Sequence, residues 1–176
     1  VANGTTYQFN VKETDLAGNT SAATSNFAVT GDTLAPSVNS FTLSDTALIT
    51  GDNATVTLVF SEAVASFSSS ADITADNGTL AAMSSADNIT CTGTFTPTAN
   101  TEDASNTLSL ATSYTDTAGN SGPSATTANY EVDTLAPSVS SIVISSATGI
   151  QNNLLNAGDN VSVTSTFSEN VLVTNT

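Results

Sequence analysis

Carboxylates at turns and strand ends are the residues of this sequence best suited to chemistry. Asp32 opens "DTLAP", Glu62 lies in "FSEAV", and Asp116 and Asn120 bound "DTAGN". Asp133 and Glu169 stand in second copies of the first two motifs, "DTLAP" and "FSENV". Oxygen donors of this kind are ligands for a hard cation, and Ca2+ accepts six to eight of them. The same residues have an ordinary alternative use, because Asp before Gly-Asn and Asp before a Pro-containing segment both cap turns without metal. What separates the two readings is whether the fold brings the carboxylates together, where they would repel one another in the absence of a cation.

The rest of the composition removes most other chemistry. Sixteen acidic residues face one basic residue, Lys12, for a net charge of -15 at pH 7 and a pI of about 4.1. A phosphate backbone or an anionic membrane surface needs several Lys or Arg, so neither is an expected partner. The chain has no His, which removes the usual general base and the Ser-His and Cys-His dyads. A glycosidase pair of Glu62 and Asp116 would want aromatic surfaces for sugar, and the chain has no Trp and only three Tyr. No enzyme is expected. The single Cys91 makes no disulfide within the chain and alternates onto the inward face of its strand, as an inert core residue. No apolar run is long enough to span a membrane, and the first residues lack the pattern of a signal peptide, so the chain reads as the middle of something longer.

The positions of these acids follow from a repeat. "ETDLAGN" around Asp15 returns as "YTDTAGN" around Asp116, a spacing of 101 residues. "DTLAPSV" from Asp32 returns at Asp133 with the same spacing of 101. "GDNATVTLVFSEAV" from Gly51 and "GDNVSVTSTFSENV" from Gly158 are 107 apart, which places an insertion of about six residues before Gly158. The frame is one complete unit, 32-132, preceded by the C-terminal part of another, 1-31, and followed by the N-terminal part of a third, 133-176.

Alternating Val, Leu, Ile and Phe make the chain all-β, and a unit of about 100 residues has the size of an immunoglobulin-like sandwich. Val38 to Leu43 reads as a first strand and "TALITGDN" as a turn. Val56, Leu58 and Phe60 point inward from a second strand, and "AVASFSSSADIT" holds one or two more. Asn77-Gly78 signals a hairpin, Ile89, Cys91 and Phe95 share an inner face, Leu108 and Leu110 mark the sixth strand, and Ala128, Tyr130 and Val132 the last. Tyr7, Phe9 and Val11 match the Leu108-Leu110 strand as core. Thr90, Thr92, Thr94 and Thr96 take the opposite, solvent face. In such a sandwich the entering linker, the end of the second strand and the end of the sixth all lie at one end. Asp32, Glu62, Asp116 and Asn120 should therefore converge there. A second, weaker acidic cluster of Asp52, Glu102, Asp103 and Asp133 is expected at the other end.

The ordered motifs "VTLVFSEAV", "ADITADNGTL", "ITCTGTFTPTAN", "YTDTAGN" and "VDTLAPSV" resemble the bacterial immunoglobulin-like repeats of large RTX and biofilm-type surface adhesins. The resemblance implies tandem immunoglobulin-like β-sandwich repeats, Ca2+ as the bound ion, and an extracellular place at the cell surface. It implies a structural extender whose partners are the neighbouring repeats of its own chain, with no direct membrane insertion. The alternative is a repeat or subunit of an ordered extracellular filament, sheath or surface layer, in which copies of the chain are the partners.

Overall fold

The computed structural model describes residues 1-149 and 154-174, which divide into two compact units, Val1–Thr134 and Leu135–Thr176. The insertion expected before Gly158 falls partly on 150-153, outside the described residues. The first unit opens with a hairpin of β1 (Thr6–Phe9) and β2 (Phe27–Thr30). Then come β3 (Val38–Leu43), β4 (Ala47–Ile49), β5 (Ala54–Phe60), β6 (Val64–Ala65), the single turn of helix α1 (Ser69–Asp72), β7 (Ile73–Ala75) and β8 (Gly78–Leu80). The unit closes with β9 (Thr90–Pro97), β10 (Glu102–Asn106), β11 (Leu108–Leu110), β12 (Thr115–Asp116), β13 (Ala125–Thr126) and β14 (Tyr130–Asp133). The second unit is a hairpin of β15 (Val139–Thr148) and β16 (Asn160–Phe167).

Two layers form the sandwich. One is an antiparallel sheet in the order β3-β5-β9-β8. The other holds two short ladders, β4-β14-β10 and β7-β11-β13, which continue one another because β10 leads into β11 and β13 into β14. Strict alternation explains the packing: β5 buries Ala54, Val56, Leu58 and Phe60 while Thr55 faces out. Cys91 and Phe95 of β9 join them, with Thr90, Thr92, Thr94 and Thr96 exposed. The facing layer supplies Leu48, Leu108, Leu110, Tyr130 and Val132. Full burial of each large apolar side chain contributes about 1.5–3 kcal/mol. Phe95 meets Tyr130 edge to face at 5.1 Å, and Phe60 meets Tyr114 at 5.0 Å.

The structure departs from the sequence reading at four places. The segment read as a turn, "TALITGDN", contains β4, which leaves the first sheet and pairs parallel with β14, bringing Leu48 into the core. Asn77-Gly78 joins no hairpin: β7 pairs with β11 and β8 with β9, so this turn, with Asn77 at φ 45°, carries the chain from one sheet to the other. Ala128 is exposed and Thr127 buried, because the pairing of β10 and β11 with β14 and β13 is irregular around Asn106. Tyr7, Phe9 and Val11 are exposed where Leu108 and Leu110 are buried, since no second sheet among the described residues covers the β1-β2 hairpin.

The core of the first unit thus lies between the sheets that follow Asp32. Phe60→Ala is expected to cost about 3–5 kcal/mol of unfolding free energy. Phe27→Ala, at a side chain 70% exposed, should stay within about 0.5 kcal/mol. Urea denaturation of both variants checks the contrast, and similar losses would contradict it.

Candidate metal centre

Three local structures deliver three carboxylates to one end of the sandwich. Glu62 lies two residues beyond the end of β5, and its neighbour Ser61 is tied to the linker: Ser37 N–H donates to Ser61 Oγ at 2.8 Å, and Ser61 N–H to the Ser37 carbonyl at 2.9 Å. Asp116 ends β12, which pairs with β6 so that Asp116 stands opposite Val64, two residues beyond Glu62. Asp32 begins the linker, whose upstream end is held by hydrogen bonds from Gly31 N–H to the Thr5 carbonyl at 2.9 Å and from Thr33 N–H to Asn3 Oδ1 at 3.0 Å. One carboxylate oxygen from each of Asp32, Glu62 and Asp116 lies within 4.8 Å of the other two. Asp32 is exposed, Glu62 half-buried and Asp116 buried. Among the described residues this is the one such group of three.

The turn that carries Asp116 has its own chemistry. Asp116 Oδ1 accepts from Ala118 N–H at 2.8 Å and Asn120 N–H at 2.9 Å, and Oδ2 accepts from Asn120 Nδ2 at 2.7 Å. Gly119 adopts φ +94°, a conformation that favours glycine. Asp15 makes the same three bonds to Ala17 and Asn19, at 2.9, 2.8 and 2.8 Å, with Gly18 at φ +93°. The turn therefore accounts for Asp116's own hydrogen bonds. It gives no reason for Asp32 and Glu62 to stand beside it.

Burial pushes the Asp116 carboxyl up, but hydrogen bonds from the Asn120 side chain and from the backbone of Asn120, Ala118 and Gly119 outweigh this and leave it below its ordinary value. Asp116 is thus held as a carboxylate. The donor set is all oxygen, and the chain's one basic side chain, Lys12, sits in the exposed connection between β1 and β2. These residues fit a hard divalent cation.

Of the remaining candidates Asn120 joins this group, and the others fall elsewhere. Asn120 turns its amide nitrogen, a donor, toward Asp116, the Leu34 carbonyl at 3.2 Å and the Asp32 carbonyl at 3.5 Å. Asp133 ends β14 opposite Glu102, and its Oδ1 is buried with no hydrogen-bond partner among the described residues. Glu169 follows β16 in the second unit and is half-buried. At the far end of the first unit Asp52 accepts from Ile49 N–H at 3.1 Å and Asp103 from Asn77 Nδ2 at 2.8 Å, each serving a separate turn. Sequence reasoning missed the Ser37-Ser61 tie. Its signal is present, because Ser138 and Ser168 repeat both bonds at 2.9 Å.

The lowered Asp116 carboxyl makes stability depend on pH with a definite sign. The unfolded chain takes up this proton first, so the contribution is full well above the ordinary value of 3.8 and is lost as pH falls through the folded value. Chemical denaturation from pH 6 to pH 2 should show the loss below about pH 4. Asp116→Asn should flatten that part of the profile, and an unchanged acid limb would contradict the assignment.

No curated protein and no solved structure matches the chain. A family model described as the bacterial Ig-like domain matches residues 32-132, more than half of the sequence. With its two facing sheets and the parallel β4-β14 pair that closes one edge, the chain belongs to the bacterial Ig-like domain family.

Proposed function

We propose that the chain is a spacer repeat of a large extracellular adhesin or biofilm surface protein, stiffened by calcium where one repeat joins the next. The observation that carries this reading is the convergence of Asp32, Glu62 and Asp116 at the end where the linker enters the sandwich. Asp32 belongs to the linker and the other two to the body of the unit. A cation shared by all three would fasten the linker to the sandwich. Asp133 repeats Asp32 in the second "DTLAP", and its Oδ1 is buried with no hydrogen-bond partner among the described residues.

Other features suit a spacer. Bacterial Ig-like domains are as a rule non-catalytic parts of extracellular or surface proteins. No helix among the described residues is long and apolar enough to cross a membrane. A charge of -15 makes copies repel, which favours an extended, soluble array. One observation favours the second reading, a filament, sheath or surface layer: the end hairpins expose apolar side chains, among them Phe9, Phe27, Ile142 and Ile144. A neighbouring copy would cover them. Sedimentation at rising concentration tests the second reading, which requires the chain to associate and is overturned if it stays monomeric.

Thermal unfolding in millimolar Ca2+ and in excess chelator tests the calcium reading. At a hundred times the dissociation constant a single site adds about 2.7 kcal/mol, which raises Tm by about 10 °C or more for a domain of this size. The rise should vanish in Asp116→Asn. Equal melting in both conditions would leave the acids as turn residues and overturn the metal.

A further inference from the structure

We infer that Asn120 is a clasp that fixes the linker entering the sandwich, and that it works without a cation. The inference deepens the reading of this end as a junction, but it stands on different bonds. Asn120 Nδ2 carries two protons and has three acceptors within reach: Asp116 Oδ2 at 2.7 Å, the Leu34 carbonyl at 3.2 Å and the Asp32 carbonyl at 3.5 Å. Since all three are acceptors, the orientation of the carboxamide is fixed. The opposite orientation would set its oxygen against a carboxylate and two carbonyls. A nitrogen so placed does not ligate Ca2+, which takes oxygen. Asn120 is a positioning residue.

The sequence supplies its own control. Asn19 makes the same bonds inside the same turn, so the turn forms by itself and the two bonds to the linker are an addition. That addition falls where the linker is otherwise held by one local bond, from Leu34 N–H to Asp32 Oδ1 at 3.1 Å, just before the buried Pro36. Upstream it is tied at Gly31 and Thr33, and downstream at Ser37. Between them Leu34 is 64% exposed. By holding the carbonyls on either side of Thr33, Asn120 sets the direction of the chain at this point. It also keeps Asp32 beside Glu62 and Asp116 before any ion arrives, so the cation meets a preassembled group of oxygens.

The test is 15N relaxation of the 176-residue chain, in excess chelator throughout. In the wild type the amides of Thr33 to Ala35 should show the order of the flanking strands, with order parameters of about 0.85. Asn120→Ala should lower these amides below about 0.6 while β3, β5 and β12 keep theirs. Asn120→Asp preserves size but removes the donor, and should loosen the same amides, so the test survives if the alanine variant fails to fold. Asn19→Ala should leave them unchanged. Ordered Thr33 to Ala35 amides in both Asn120 variants, or equal loosening by Asn19→Ala, would overturn the clasp. With chelator present, a failure to bind calcium in the melting experiment leaves this result untouched, and loss of the clasp leaves calcium binding to be judged by its own assay.

Discussion

Burial of two inward sheet faces against each other is the constraint from which the arrangement of this chain follows. A strand with alternating residues has one apolar face, and β5 and β9 hide theirs only against Leu108, Leu110, Tyr130 and Val132 of the facing layer. That stacking forces strands to run up and down between the same two ends. The ends of β5 and β12 therefore meet the linker into β3, although 84 residues of sequence separate Asp32 from Asp116. Positions that carry no apolar signal are placed by those that do.

Electrostatics then sets the character of that end. Two unit charges about 4.8 Å apart repel by about 1 kcal/mol in water and by several at the effective dielectric of a protein surface. The core holds three such charges together, and Asp116 is kept ionised by its turn. The turn forms without Asp32 or Glu62, as the matching turn at Asp15 demonstrates. Strand directions bring Asp32 and Glu62 beside that turn, and the all-oxygen donor set they complete there is of the kind that suits a hard cation.

Much of this was legible in the sequence because repeats and alternation are local, additive signals. The spacing of 101 residues located the linker and the turn, and alternation located Val56, Leu58, Phe60 and Phe95, all fully buried. The convergence of Asp32, Glu62 and Asp116 followed from counting strand directions. What alternation does not encode is the choice of sheet. The three residues of β4 are too few to show a period, and their parallel pairing with β14 is a tertiary choice made by Leu48. The turn at Asn77-Gly78 has the chemistry of a hairpin, yet the partners of its flanking strands lie far off in the chain. Asn120 was legible as a member of the site, but which end of its amide faces the carboxylates depends on neighbours that only the fold supplies.

The most direct test of a cation at this junction is a calorimetric titration of the chelator-treated chain with Ca2+, run beside Glu62→Gln. Glu62 is half-buried and stands outside the Asp116 turn, so this substitution leaves the turn's hydrogen bonds in place. Saturable binding by the wild type, weakened at least tenfold in Glu62→Gln, is the expected result. No saturable heat, or binding that Glu62→Gln leaves unaltered, would contradict it and leave the three carboxylates as neighbours without a common ligand.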